Sequence, residues 1–104
     1  MISENLLFHC VGELNISKAK NINARCPKDD IVNWLSLKIG NHRYSFVYKI
    51  MFPQDAQYNF PFEVRMSFLM PEKIVELAKN NEKYVVYRGE EIIGYAKILS
   101  RIQS

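Results

Sequence analysis

Apolar and polar side chains alternate over residues 62–70. Phe62, Val64, Met66, Phe68 and Met70 fall on one face, and Glu63, Arg65 and Ser67 on the other. A period of two sends successive side chains to opposite sides of a strand, so this segment is predicted to bury one face and wet the other. Residues 43–52 repeat the pattern, with Tyr44, Phe46, Tyr48, Ile50 and Phe52 on the inner face. The segment Trp34–Ile39 joins residues 43–52 through Gly40-Asn41, and Gly followed by Asn between two strands favours a two-residue type II′ hairpin turn. That turn opposes Leu37 to Tyr44 and Leu35 to Phe46. Both pairs lie on the apolar face, so turn chemistry and pattern specify one register.

Residues 83–88 and 92–102 form a last predicted hairpin. On its second strand Ile92, Gly94, Ala96, Ile98 and Ile102 share a face. Two small residues there point to a close approach by another strand, as in a tightly curved barrel. Residues 71–80 are the one helical segment: Ile74, Leu77 and Ala78 recur at i, i+3, i+4 behind Pro71 and Glu72. Residues 17–30 are polar, contain Pro27, show no periodicity and read as a loop. No repeat, low-complexity run or long linker divides the chain. Many short strands and little helix predict one all-β domain over residues 1–104, a barrel or sandwich with at most one short helix near 71–80.

Composition adds limits rather than direction. A chain of 104 residues with 48% hydrophobic and 24% charged residues folds as one ordinary globule. The net charge of +3 comes from interleaved Lys, Arg, Asp and Glu, which marks no basic patch. Cys10 and Cys26 have neither metal-ligand nor redox spacing and are expected to stay reduced. Residues 2–8 carry Glu4 where a signal peptide needs a cation. No apolar stretch is long enough for a membrane span, so a cytoplasmic protein without a membrane role is expected.

The C-terminal segment Lys83 to Ile102 is more specific. Tyr84, Val86, Gly89, Ile93, Gly94, Ala96 and Ile98 stand, without a gap, in the pattern that ends the third domain of the elongation factor Tu family, which this segment resembles. Phe8 to Leu14 is similar to that family's first strand, and Pro61 and Met70-Pro71 flank the alternating strand as similar residues do there. The resemblance implies a closed six-stranded Greek-key barrel. It brings no GTPase, because the chain lacks the Gly-x-x-x-x-Gly-Lys-Ser/Thr phosphate loop. The family's final turn, Arg-Glu-Gly-Gly-Arg, lies against the tRNA backbone. Here it reads Tyr87-Arg88-Gly89-Glu90-Glu91, so Tyr87 and Glu91 replace two arginines and Arg88 restores one charge at a shifted place. Phosphate contacts dominate nucleic-acid affinity, so the exchange weakens the expectation of tRNA binding.

Catalytic chemistry finds little support. His9 and Cys10 are strand neighbours and face opposite sides, which is poor placement for a nucleophile and its base. His42 follows a turn and is expected to be solvated. The acidic pairs Asp29-Asp30 and Glu90-Glu91 lack a third ligand at metal spacing and are expected to be solvated turns. Lys38, Arg43 and Lys49 alternate with Tyr44 and Tyr48, but the two tyrosines face away from Arg43 and Lys49, so a base-stacking face is not expected there. Neither a cofactor nor a small-molecule substrate is expected.

The aromatic loop 52–61 stands out. Phe52, Tyr58 and Phe60 exceed what a solvated loop needs, and Pro53 and Pro61 bound it. Exposed loop aromatics are typical interface anchors, the alternative being that they cap the barrel end. With Tyr87 and Arg88 of the final turn they make the expected partner-binding set. The function expected is a non-catalytic module that binds another protein. A bacterial immunity protein that neutralises a toxin domain fits its size and its Lys-, Asn- and Ile-rich composition. The alternative is a tRNA- or RNA-binding module related to the elongation factor barrels.

Overall fold

A computed structural model of the chain describes residues 8–18, 20 and 25–101. It has six strands, β1 (Cys10–Ile16), β2 (Asp30–Ile39), β3 (His42–Phe52), β4 (Phe62–Phe68), β5 (Lys83–Arg88) and β6 (Glu91–Arg101), and one helix, α1 (Pro71–Leu77). All pairings are antiparallel, and the strands close into a barrel in the order β1-β4-β3-β2-β5-β6, with β6 returning to β1. This is the expected all-β Greek-key barrel with one short helix. The connections β1–β2 and β4–β5 join strands that are not neighbours and cross opposite ends. Closure leaves no edge strand. A partner therefore cannot add a strand to the sheet and must be met by outward side chains or end loops.

The turn at Gly40-Asn41 forms as its chemistry predicts. Gly40 has φ 62°, and Leu37 opposes Tyr44 and Leu35 opposes Phe46. Val64, Met66, Phe46, Leu37, Leu14, Val86, Ala96 and Ile98 fill the interior. Ile74 and Ala78 join this core from the α1 side, and Ala56 joins it from the β3–β4 loop.

The register shifts at several points among the described residues, and two of these β-bulges overturn the expected alternation. In β3, Ile50 opposes Val64 but Phe52 opposes Glu63, so Met51 is an extra residue and parity inverts beyond it. Phe52, which the alternation alone sets on the inner face and the loop reading sets in water, is consequently 69% exposed. In β6, Gly94 opposes Val86 but Ile92 opposes Tyr87, which leaves Ile93 extra. Ile93 enters the core and Ile92, expected there, lies outside. Ile102 lies outside the described residues. Three smaller expectations also change. Met70 ends beyond β4 at the start of α1 and is exposed. Leu77 is exposed, leaving Ile74 as the buried residue of α1 and Ala78, at its C-cap, buried beyond it. β2 begins at Asp30 rather than at residue 34. The pair Asp29-Asp30 is not a free solvated turn, because Asp29 Oδ1 accepts the Ile50 N–H at 2.7 Å, where the ladder to β2 has ended.

His9 is tied into the backbone. Its N–H donates to Met66 O at 2.8 Å, and its Nδ1 accepts the Phe68 N–H at 2.9 Å. An accepting Nδ1 is unprotonated, and burial pushes the His9 pKa below the ordinary histidine value, with Glu72 pulling weakly the other way. Folding therefore favours the neutral ring. His9 contributes its stabilisation fully above about pH 6.5, the unfolded value, and loses it as pH falls towards the lower folded pKa. A melting series from pH 7.5 downward should show a decline that starts near the unfolded value. His9→Gln, which does not titrate, should lack that component.

Cys10 is buried at the start of β1, and Cys26 is partly exposed in the connection that crosses the other end; the two are not joined in a disulfide. Alkylation of the native protein without reductant, read by mass, should label Cys26 quickly and Cys10 only as the barrel opens. Equal rates at both sites would show that β1 is not packed as described.

Candidate functional site

The ends of β1, β3 and β5 and the starts of β2, β4 and β6 meet at one end of the barrel. There the loop between β3 and β4 folds back across the opening. Asn59, at φ 70°, turns the chain so that its N–H donates to Ile16 O at 2.8 Å. Gln54 Nε2 donates to Met51 O at 3.0 Å. Ala56 is buried, and Tyr58 packs against the core. Burial raises the Tyr58 pKa above the ordinary tyrosine value, the nearby Cys26 adds to the rise and Arg88 opposes it. Tyr58, expected as an exposed anchor, is thus a seal for the barrel end. Phe60 remains 61% exposed, and Phe52 stands out at the other foot of the same loop. The fold thus holds two phenyl rings in water on a loop anchored at residues 56, 58 and 59.

Tyr87 and Arg88 stand at the last turn, at this same end of the barrel, and Arg88 is near enough to Tyr58 to oppose the rise in its pKa. Tyr87 faces outward opposite Ser36 of β2. The Arg43 guanidinium lies 4.5 Å from the Tyr87 ring centre and donates to Gly89 O at 2.9 Å and to Glu90 Oε1 at 3.0 Å. Arg43 on β3 therefore reaches past β2 to clamp the β5–β6 turn. This part of Arg43 is engaged by Glu90 rather than left for a phosphate. Tyr44 and Tyr48 are buried, so the hairpin of β2 and β3 presents no tyrosine face for bases.

Among the described residues no three His, Cys, Asp or Glu side chains gather into a metal site. An open recess of 360 Å³ is lined by Cys26, Pro27, Lys28, Asp29, Ile50 and Gln54, and its one carboxylate already accepts the Ile50 N–H. Among the described residues no helix is long and apolar enough to cross a membrane.

Sequence reasoning picked out Phe52 and Phe60 but missed Ile92, among the described residues the third large apolar side chain more than 60% exposed on this half of the barrel. The adjacent Ile92 and Ile93 were the available signal, since two apolar residues in succession cannot both face inward on a regular strand. No protein-family model matches the chain, and neither a curated protein nor a solved structure does.

Proposed function

We propose that the chain is a non-catalytic protein-binding module that uses the end of the barrel bearing the β3–β4 loop. The observation that carries this reading is the contrast within one loop, in which Ala56 and Tyr58 are buried while Phe52 and Phe60 are held in water. Folding gains nothing from two exposed phenyl rings, whereas a partner gains large apolar anchors on a preorganised loop. The closed barrel supports the same reading by leaving side chains, not strand edges, to make the contact. A toxin domain is one partner that suits a small module of this kind. Descent from an elongation factor Tu third domain would supply such a barrel without its GTPase.

The test is capture of a partner, first among products of neighbouring genes, by the native chain and by a Phe52→Ser, Phe60→Ser variant. A partner held by the native chain and lost by an equally stable variant supports the reading. A partner held equally by both removes it from this loop.

A further inference from the structure

The outer faces of β5, β6, β1 and β4 carry a row of four charges set by the register. Lys83 stands opposite Lys97, Lys97 opposite Glu13, and Glu13 opposite Glu63. The row reads plus, plus, minus, minus. Like charges directly opposite on neighbouring strands destabilise a sheet, so the barrel carries two unfavourable pairs, one basic and one acidic. Among the described residues, none of the four forms an ion pair within the chain, unlike Arg43 with Glu90. Lys83 is positioned by Tyr95, whose ring centre lies 4.5 Å from its ammonium.

We infer that the chain associates with a second copy of itself through the outer faces of β6 and β1, about a two-fold axis running between these strands and parallel to them. A two-fold interface presents the same patch from both sides, so it needs a patch complementary to its own rotated image. This row meets that condition. Rotation sets Lys97 against Glu13 of the second copy, and Glu13 against its Lys97. Farther out, where the curved surfaces part, Lys83 reaches towards Glu63 of the second copy. Each lysine pair then meets carboxylates, and each carboxylate pair meets ammonium groups, so both unfavourable pairs are relieved together. Beside the row, Tyr95 and Asn15 also oppose each other across β6 and β1, joined by a hydrogen bond of 3.2 Å from Asn15 Nδ2 to the tyrosine oxygen.

The test is the mass of the purified chain in solution, by sedimentation or by light scattering after size exclusion, at millimolar concentration in low and high salt. The expected result is a doubled mass at low salt that falls towards the monomer as salt screens the surface charges. Lys97→Glu alone and Glu13→Lys alone should each give monomer, because each sets like charges face to face. The Lys97→Glu, Glu13→Lys exchange should restore the dimer, because the row stays complementary to its rotated image. Circular dichroism on each variant confirms a folded barrel. A monomeric native chain at low salt, single reversals that still dimerise, or a folded exchange variant that stays monomeric overturns the inference. All these variants keep Phe52 and Phe60, so loss of self-association and loss of partner capture are distinguishable.

Discussion

Replacing Gly94 by alanine is expected to lower the stability of the barrel by about 3 kcal/mol, at the upper end of what overpacking a core costs. Gly94 lies on β6 opposite Ile16 at the end of β1. A Cβ there would collide with the carbonyl oxygen of Asn15 and lie 2.8 Å from Ile16 Cα and 2.9 Å from Asn15 C. All three are backbone atoms of β1. A flexible side chain would swing away from a new methyl group, but this backbone is paired to β6 and tied on its other side by the Asn59 N–H to Ile16 O, so it cannot. Gly40→Ala provides the control: its Cβ would meet nothing within 4 Å, so it carries only the left-handed backbone penalty at φ 62°, about 1 kcal/mol. Thermal unfolding should therefore place Gly94→Ala roughly 15 °C below the native chain, and Gly40→Ala much closer to it. If both variants melt together, β1 yields at this crossing and the barrel is looser than its register implies.

The need for glycine at position 94 was legible because a glycine inside an apolar strand marks a bulge or a close approach by another backbone. The alternating strands were legible for an equally local reason: 62–68 obeys a period of two without interruption. The bulges were not. Ile50, Met51 and Phe52 are all apolar, as are Ile92 and Ile93, so the chain carries no polar residue at the point where parity inverts. Only the partner strand determines which residue becomes the extra one. Burial of Tyr58 depends on the loop folding back to Ile16, a contact between positions far apart in sequence. The charge row has the same origin. Lys83 and Lys97 belong to one hairpin and were within reach of sequence reasoning. Glu13 and Glu63 join the row only because β1 inserts between β6 and β4, an arrangement set by closure of the barrel rather than by any local signal.

The aromatic loop yields the prediction that separates holding the barrel shut from holding a partner. Tyr58 packs on the core beside Ala56, so Tyr58→Ala should open the barrel end and cost about 2 kcal/mol of stability, below the figure for a fully buried aromatic because the ring is only partly covered. Phe52 and Phe60 are mostly in water, and Phe52→Ala and Phe60→Ala should each change stability by no more than about 0.5 kcal/mol. For affinity the order reverses. A phenyl ring that enters a partner's pocket is worth about 1–3 kcal/mol on truncation. Each of these two substitutions should therefore weaken binding roughly tenfold to a hundredfold. Tyr58→Ala, compared at a temperature where it remains folded, should bind nearly as well as the native chain, provided that loop residues 56 and 59 keep their anchors. Melting temperatures and partner titrations on the three variants give the comparison. If Phe52→Ala and Phe60→Ala melt early while binding is unchanged, the two rings seal the barrel and the partner docks elsewhere. If Tyr58→Ala abolishes binding by a folded chain while the two phenylalanine variants retain it, the recognition surface centres on the tyrosine near Cys26 and Arg88 instead.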